Sequence, residues 1–388
     1  MKRFRIILVT MMAVFLASTI HAADKIKIGY MATMSGPAAS LGIDILDGFK
    51  LGMKHKGDKL GGLPVELIVG DDQLKPGVGV QVAMRMIEKE KIDIMTGIVF
   101  SNVAMAVVPK VVRDGIVYLS ANAGPSKLAG SGCSANYFSV AYQNDNLDEV
   151  VGQYVTKAGL SNVYLLAPNY PAGKDHLAGF KRYYKGNIAG EVYTKLDQAD
   201  YAAEIATLRA AGPDAVFFFL PGGMGINFLK QYAQAGLQES IPLFGPAFSF
   251  DERILAAVGD AALGVKNGSQ WTHDLDNPAN RQFVEAYRQA YGRTPTLYAS
   301  QGYDTARLIA SALQKVGGDL GDLEPFKAEL KKADFASVRG TFRFGTNQHP
   351  VQDLYIREVI KTDSGYTNRT LQKVFTDHVD AYAAECPL

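Results

Sequence analysis

The feature that most limits what this chain can fold into is a rhythm. From about residue 24 to residue 271, short apolar runs alternate with amphipathic stretches of helical length. The run "AVFFFL" at 215–220 is apolar at every position, as a strand buried on both faces requires. Runs 26–32, 65–70, 92–99, 116–120, 163–167, 191–195 and 242–245 also read as strands. Between them, 40–54, 79–91, 102–113, 147–158, 174–184, 202–211 and 226–235 read as helices. In the first of these, Ile45, Phe49 and Met53 share one face. Strands alternating with helices predict an α/β fold with parallel sheets covered on both sides. The rhythm restarts after a link at 141–146, which predicts two doubly wound lobes.

Beyond Trp271 the texture changes. Two long helices, 278–291 and 300–316, precede three stretches of strand character, 340–347, 354–361 and 366–374. The helices are expected to return to the first lobe and the antiparallel strands to the second. A length of 388 residues, 47% hydrophobic and 20% charged, suits two such domains better than one.

Residues 1–23 read separately. Lys2, Arg3 and Arg5 precede the apolar run Ile6 to Ile20, and Ala22 and Ala23 follow. That is the layout of a cleaved secretory signal, with an uncleaved anchor as the alternative. The run is short for a membrane span, and no cysteine at the junction offers a lipid anchor. Export from the cytoplasm follows. Without those three basic residues, 37 basic face 39 acidic ones, a balance that argues against nucleic acid or a membrane surface as main partner. In an exported protein Cys133 and Cys386 allow one disulfide tying the tail to a loop, or remain separate thiols.

Catalytic patterns fail in turn. There is no GxxxxGK[ST] phosphate loop, no HExxH zinc motif and no GxSxG elbow. In "PGGMGINF" (221–228), Phe228 stands where a dinucleotide fold needs its third glycine. The histidines at 21, 55, 176, 273, 349 and 378 are scattered, and they read as surface or hinge residues. Neither enzyme activity, cofactor nor metal is expected.

Recognition remains. In open sheets a ligand sits beyond the carboxyl ends of the strands. After those strands come "TMSGPAAS", "VFSN", "SANAGPS", "APNYPAGKD", "LPGGMG" and "GPAFSFDE". Ser101 and Asn102 stand where a helix begins, so one of them should cap it. The same N–H groups, with the helix dipole, favour a carboxylate. Asn122, Ala123 and Gly124 are small enough to let a ligand approach. Leu41 and Phe100 in the first lobe, with Tyr170, Gly222, Ala247, Phe248 and Phe250 in the second, offer jaws for a flat or branched apolar group.

With these loops in order, the chain resembles the type I periplasmic solute-binding proteins of ABC importers, in the branch that includes the leucine/isoleucine/valine-binding proteins. The resemblance runs from about residue 24 to the end. It rests on "MSGPAASLGIDILDGFKLGM", "DDQLKPGVGVQVAMRMI", the Ser101 region with Pro109, "PNYPAGKD", "LKQYAQAGL" and "FVEAYRQAYGRTPTLYASQGYDTARLIASAL". It implies two lobes, 24–142 with 275–349 and 143–274 with 350–388. They would be joined by crossings near 141–146, 272–276 and 347–353 and would close on a ligand. It also implies a monomeric shuttle that delivers its ligand to membrane permease subunits.

In family members that bind amino acids, the ligand carboxylate meets groups matched here by Ser101, Asn102, Asn122 and Gly124. The ammonium meets an acid in a "GPE" loop. This chain reads "GPAFSFDE", with Ala247 at that position, and has Leu41 where an aromatic residue often precedes Gly42. A buried ammonium without a counter-charge costs several kcal/mol. The expected ligand is therefore a carboxylate with an apolar or aromatic body, such as a benzoate or hydroxycinnamate. A hydrophobic amino acid is the alternative; a periplasmic sensor domain or an exported enzyme is the more distant one.

Overall fold

The structure is a computed structural model that describes residues 25–388; the expected signal segment lies outside the described residues. Strands β1 (Ile26–Ala32), β2 (Lys59–Leu60), β3 (Leu63–Asp71), β4 (Ile94–Gly97), β5 (Val117–Ser120) and β6 (Tyr137–Ser139) form one sheet in the order β2-β3-β1-β4-β5-β6. A second sheet contains β7 (Asn162–Pro168), β8 (Asn187–Thr194), β9 (Ala215–Phe218), β10 (Leu243–Pro246), β11 (Lys266–Ser269), β12 (Arg343–Phe344) and β13 (Pro350–Thr362). Its order is β12-β13-β11-β10-β9-β7-β8, with β14 (Gly365–His378) paired to β13.

From β3 through β6 and from β8 through β11 every pairing is parallel. The short β2 and the late strands β12 to β14 pair antiparallel. The strand expected over 340–347 shrinks to Arg343–Phe344. There Phe342 and Phe344 turn to pack on each other and on Phe335 and Phe138. Strands β2, β6 and β11 and the helix Leu323–Lys332 were not anticipated.

The two long late helices do return to the first lobe. Helix Leu297–Lys315 lies against Ala39–Lys54 so closely that a Cβ on Gly48 would stand 1.9 Å from the Ala299 carbonyl oxygen. Only glycine permits that approach. Helix Pro278–Tyr291, which precedes it in the chain, packs beside it, with Phe283 against Tyr303 and the Tyr291 hydroxyl donating to the Asp47 carbonyl. The chain therefore passes between the lobes three times: between 139 and 146, between 269 and 278, and between 332 and 350.

Cys133 and Cys386 are joined in a disulfide across 253 positions of sequence. The bond seats the tail against the first lobe. Closing so long a loop restricts the unfolded chain, so a Cys133→Ser/Cys386→Ser variant should lose ~2–4 kcal/mol of stability. Urea unfolding with and without reductant measures it; equal midpoints would contradict the assignment.

Candidate functional site

Each sheet has a place where neighbouring strands send their connections to opposite faces. In the first sheet it lies between β1 and β4, and in the second between β7 and β9. Loops diverge at such points and leave a crevice beyond the carboxyl ends of the strands. The two crevices face each other and share one cavity. Its wall takes Val99, Phe100 and Ser101 from the loop after β4, and Asn122 from the loop after β5. The first crossing adds Tyr142 and Asn144. The second lobe adds Tyr170, Ala172, His176, Phe219, Pro221 and Phe248, and Tyr298 comes from the long late helix.

The wall is mostly aromatic. Phe100 and Tyr170 meet across the lobes at 6.2 Å between ring centroids, Tyr142 lies 4.9 Å from Phe248, and Phe248 lies 6.1 Å from Tyr298. Burial holds the phenols of Tyr142, Tyr170 and Tyr298 far above their ordinary range, so they stay neutral hydroxyls.

Two helix N-termini reach this wall, one from each lobe. Helix Ser101–Arg113 has Phe100 as its N-cap, and helix Pro171–Tyr183 has Tyr170; neither receives a side-chain cap. The expectation that Ser101 or Asn102 caps the first helix is thus corrected. Ser101 is already the first helical residue, and its hydroxyl instead accepts from Asn144 Nδ2 at 3.1 Å. The N–H groups of Val103 and Ala104 donate to the Phe100 carbonyl at 3.1 and 3.0 Å, and those of Ser101 and Asn102 are left to solvent or to an anion. Gly173 lets the second helix press on the end of β7, where a Cβ would stand 1.8 Å from the Pro168 carbonyl oxygen. The strand-to-helix loop of the first lobe carries strain: Ile98, a β-branched residue, is held at φ 56° just before the cavity residues.

Of the twelve residues expected at the site, the structure gathers Phe100, Ser101, Asn122, Tyr170 and Phe248 around the cavity. The other seven stand off it. Asn102 follows Ser101 by about 100° around the helix, which turns it from the wall. The Ala123 carbonyl faces inward and accepts from Ser120 Oγ at 2.6 Å, and the Gly124 N–H donates to Asn144 Oδ1 at 3.1 Å. Leu41 meets the backbone at Gly222, where an added Cβ would lie 3.5 Å from its side chain, on the seam between the lobes. Ala247 is wholly buried in a single helical turn, and Phe250 packs on Phe218 in the second-lobe core at 5.3 Å. His176 and His349, read as surface or hinge residues, are both buried, and His176 lies on the cavity wall.

No carboxylate lies among the lining residues. Of the two acids after the "GPAFSF" loop, Glu252 accepts from Asn368 Nδ2 at 3.2 Å, and Asp251 caps helix Glu252–Val258 by accepting from the N–H groups of Arg253 and Ile254 at 2.9 and 3.1 Å. Burial, with Asp44 nearby, pushes its carboxyl up to about 7. Asp175 sits one layer behind the wall. It accepts from Ser126 N at 3.0 Å and Ser126 Oγ at 2.7 Å, and from Asn144 Nδ2 at 2.9 Å, which fastens the second lobe to the first. Among the described residues no cluster of histidine, cysteine and acidic side chains could hold a metal ion.

Two α/β lobes, three crossings and a polar-aromatic cavity at paired crevices define a solute-binding protein. The chain belongs to the periplasmic binding protein family, whose profile matches residues 25–365. It is similar to an ABC-transporter solute-binding protein of R. palustris solved in complex with benzoate. Identity is 32% and TM-score 0.89, covering 94% of this chain and 100% of that one. A second similar structure, from Rhodopseudomonas palustris BisB5, holds 3,4-dihydroxybenzoic acid, at 30% identity and TM-score 0.85 over 92% and 99% of the two chains. Leu/Ile/Val-binding protein homolog 6 of Brucella melitensis is 29% identical over 377 residues, 94% of this chain and 96% of the relative.

Proposed function

We propose that this protein captures a small aromatic carboxylate, a benzoate or hydroxybenzoate, in the periplasm, and hands it unaltered to the permease of an ABC importer. The observation that carries this reading is the cavity itself. Six aromatic rings surround it, two helix N-termini without side-chain caps meet it, and no lining carboxylate awaits an ammonium. The benzoate and dihydroxybenzoate held by two similar proteins support the same class.

The mechanism is closure. Ser101 and the first turn of its helix fix the carboxylate in the open first lobe. Phe219, Phe248 and Tyr170 then cover the ring as the second lobe swings in, and Asp175 fastens to Ser126. A branched-chain amino acid is the second reading, favoured by the name of the Brucella relative. It would leave the ammonium without a counter-charge, because Asp251 is committed to its helix cap. Calorimetric titration with benzoate, 4-hydroxybenzoate, a hydroxycinnamate and isoleucine separates the two. Tight, stoichiometric heat from a benzoate with none from isoleucine is expected; the reverse pattern refutes the proposal.

A further inference from the structure

One polar pair at the cavity has no part in the reading above. His176 lines the wall with its side chain 2% exposed, and its Nδ1 is hydrogen-bonded to Asp148, whose side chain is fully buried. That leaves Nε2 as the ring's remaining polar atom. The ring is sandwiched by apolar neighbours, 3.6 Å from the Phe219 centroid and 5.5 Å from that of Phe248. The second oxygen of Asp148 has no hydrogen-bond partner among the described residues.

The charged surroundings of this pair are lopsided. Asp145 and Glu149 face it from the start of its helix, and Asp175 from the neighbouring helix. Arg182 is spent on Asp145, at 2.8 Å, and on Glu149. His378 from β14 sits on Glu149 at 2.5 Å, and the Tyr382 hydroxyl donates to Asp145 at 3.0 Å. Tyr142 and Tyr170 on the cavity side are neutral, and the residue after β9 and the turn at 247–249 bring the rings of Phe219 and Phe248 against it. No cation but His176 itself reaches Asp148 among the described contacts. An organic anion in the cavity would thus face a buried carboxylate with one imidazole between them, an arrangement that repels unless a proton is added.

We propose that His176 and Asp148 bind a proton together with the ligand: Nε2–H of His176 donates to the ligand carboxylate while the pair holds two protons and no net charge. This rests on the aromatic-acid reading above. In the filled site the protons lie either on both ring nitrogens beside an ionised Asp148, or on Nε2 and the Asp148 carboxyl. Nε2 is a donor in both. When the empty pair loses one proton, Nε2 becomes an acceptor and Asp148 a bare anion, and a carboxylate is rejected. Burial and the three neighbouring acids push the Asp148 carboxyl up, while burial pushes His176 down, so a bound anion favours the uncharged two-proton form over the anionic one-proton form. The extra proton comes from solvent and returns there on release.

Benzoate is the suitable probe, because its carboxyl stays ionised above pH 6. Titrations from pH 6 to 9, each in two buffers of different ionisation enthalpy, count the protons taken up. The expected result is a Kd that is flat at low pH and then weakens tenfold per pH unit, with uptake rising toward one proton per benzoate. In Asp148→Asn the uptake should vanish and the slope flatten. His176→Gln keeps an amide donor on an intact Asp148 and should likewise lose the uptake; thermal melts establish that each variant is folded. Benzoate binding with no proton uptake at any pH, or uptake that survives both substitutions, would overturn the inference while leaving the ligand class standing. Absence of benzoate heat throughout would overturn the ligand class and this inference with it.

Discussion

Replacing Arg339 with methionine should lower the unfolding free energy by ~3–5 kcal/mol, the range seen when one partner of a buried ion pair is removed. Arg339 and Asp304 are both buried, with Nε 3.1 Å from Oδ2. Asp304 lies in the long helix of the first lobe, where Ser337 Oγ and the Val338 N–H also donate to it, at 2.6 and 3.0 Å. The other end of Arg339 holds the hinge. One guanidinium nitrogen donates to the Ala141 carbonyl in the first crossing, at 2.9 Å, and to Gln352 Oε1 just past the third, at 2.8 Å. Its loss strands the Asp304 carboxylate, which burial already pushes toward protonation. The companion variant Asp304→Asn/Arg339→Met removes both charges and should recover a large part of the loss. Urea unfolding of the single and double variants measures this. Equal stability of Arg339→Met and the wild type would show that the pair contributes nothing to the hinge.

The alternation of apolar runs and amphipathic helices was enough to reach the two-lobed architecture, because buried parallel strands have no choice but to be apolar on both faces. It missed β11 for the same reason. That strand reads Lys-Asn-Gly-Ser, and its polar atoms are tolerated in the interior because Asn267 pairs with Asn368 at 2.9 Å and accepts from Arg357 at 2.9 Å. Both partners lie about a hundred residues on, in strands no local pattern connects to it. The site divides along similar lines. Phe100, Ser101, Tyr170 and Phe248 were legible because each follows a recognisable strand end. His176 was not, since it sits in the second turn of a helix and becomes a wall residue only when Phe219 and Phe248 fold beside it. Tyr142 and Asn144 escaped notice because the crossing looked like a linker, and only the cavity turns it into a wall. Leu41 and Gly222, expected to touch a ligand, instead touch each other across the seam between the lobes.

The largest effect on binding is expected from a single added charge, Ala172→Asp. Ala172 lies in the first turn of the second-lobe helix, is 4% exposed and lines the cavity. An acid in the first turn suits the helix dipole but adds to the buried acids Asp175 and Asp148, so thermal melts first establish that the variant is folded. The cavity, however, would then hold two carboxylates. At a separation of roughly 4–5 Å and an effective dielectric of about 20, like charges repel by ~3–4 kcal/mol, a ~10²–10³-fold loss of affinity. Benzoate binding should fall by that factor, measured by calorimetry on the folded variant. An ammonium-bearing ligand would feel the opposite sign, so isoleucine should bind no worse than to the wild type, and better if its amino group reaches the new acid. Undiminished benzoate affinity would mean that the ligand's charge lies away from the paired helix ends. The claim that the cavity selects anions, because it supplies N–H dipoles and withholds carboxylates, would then be wrong.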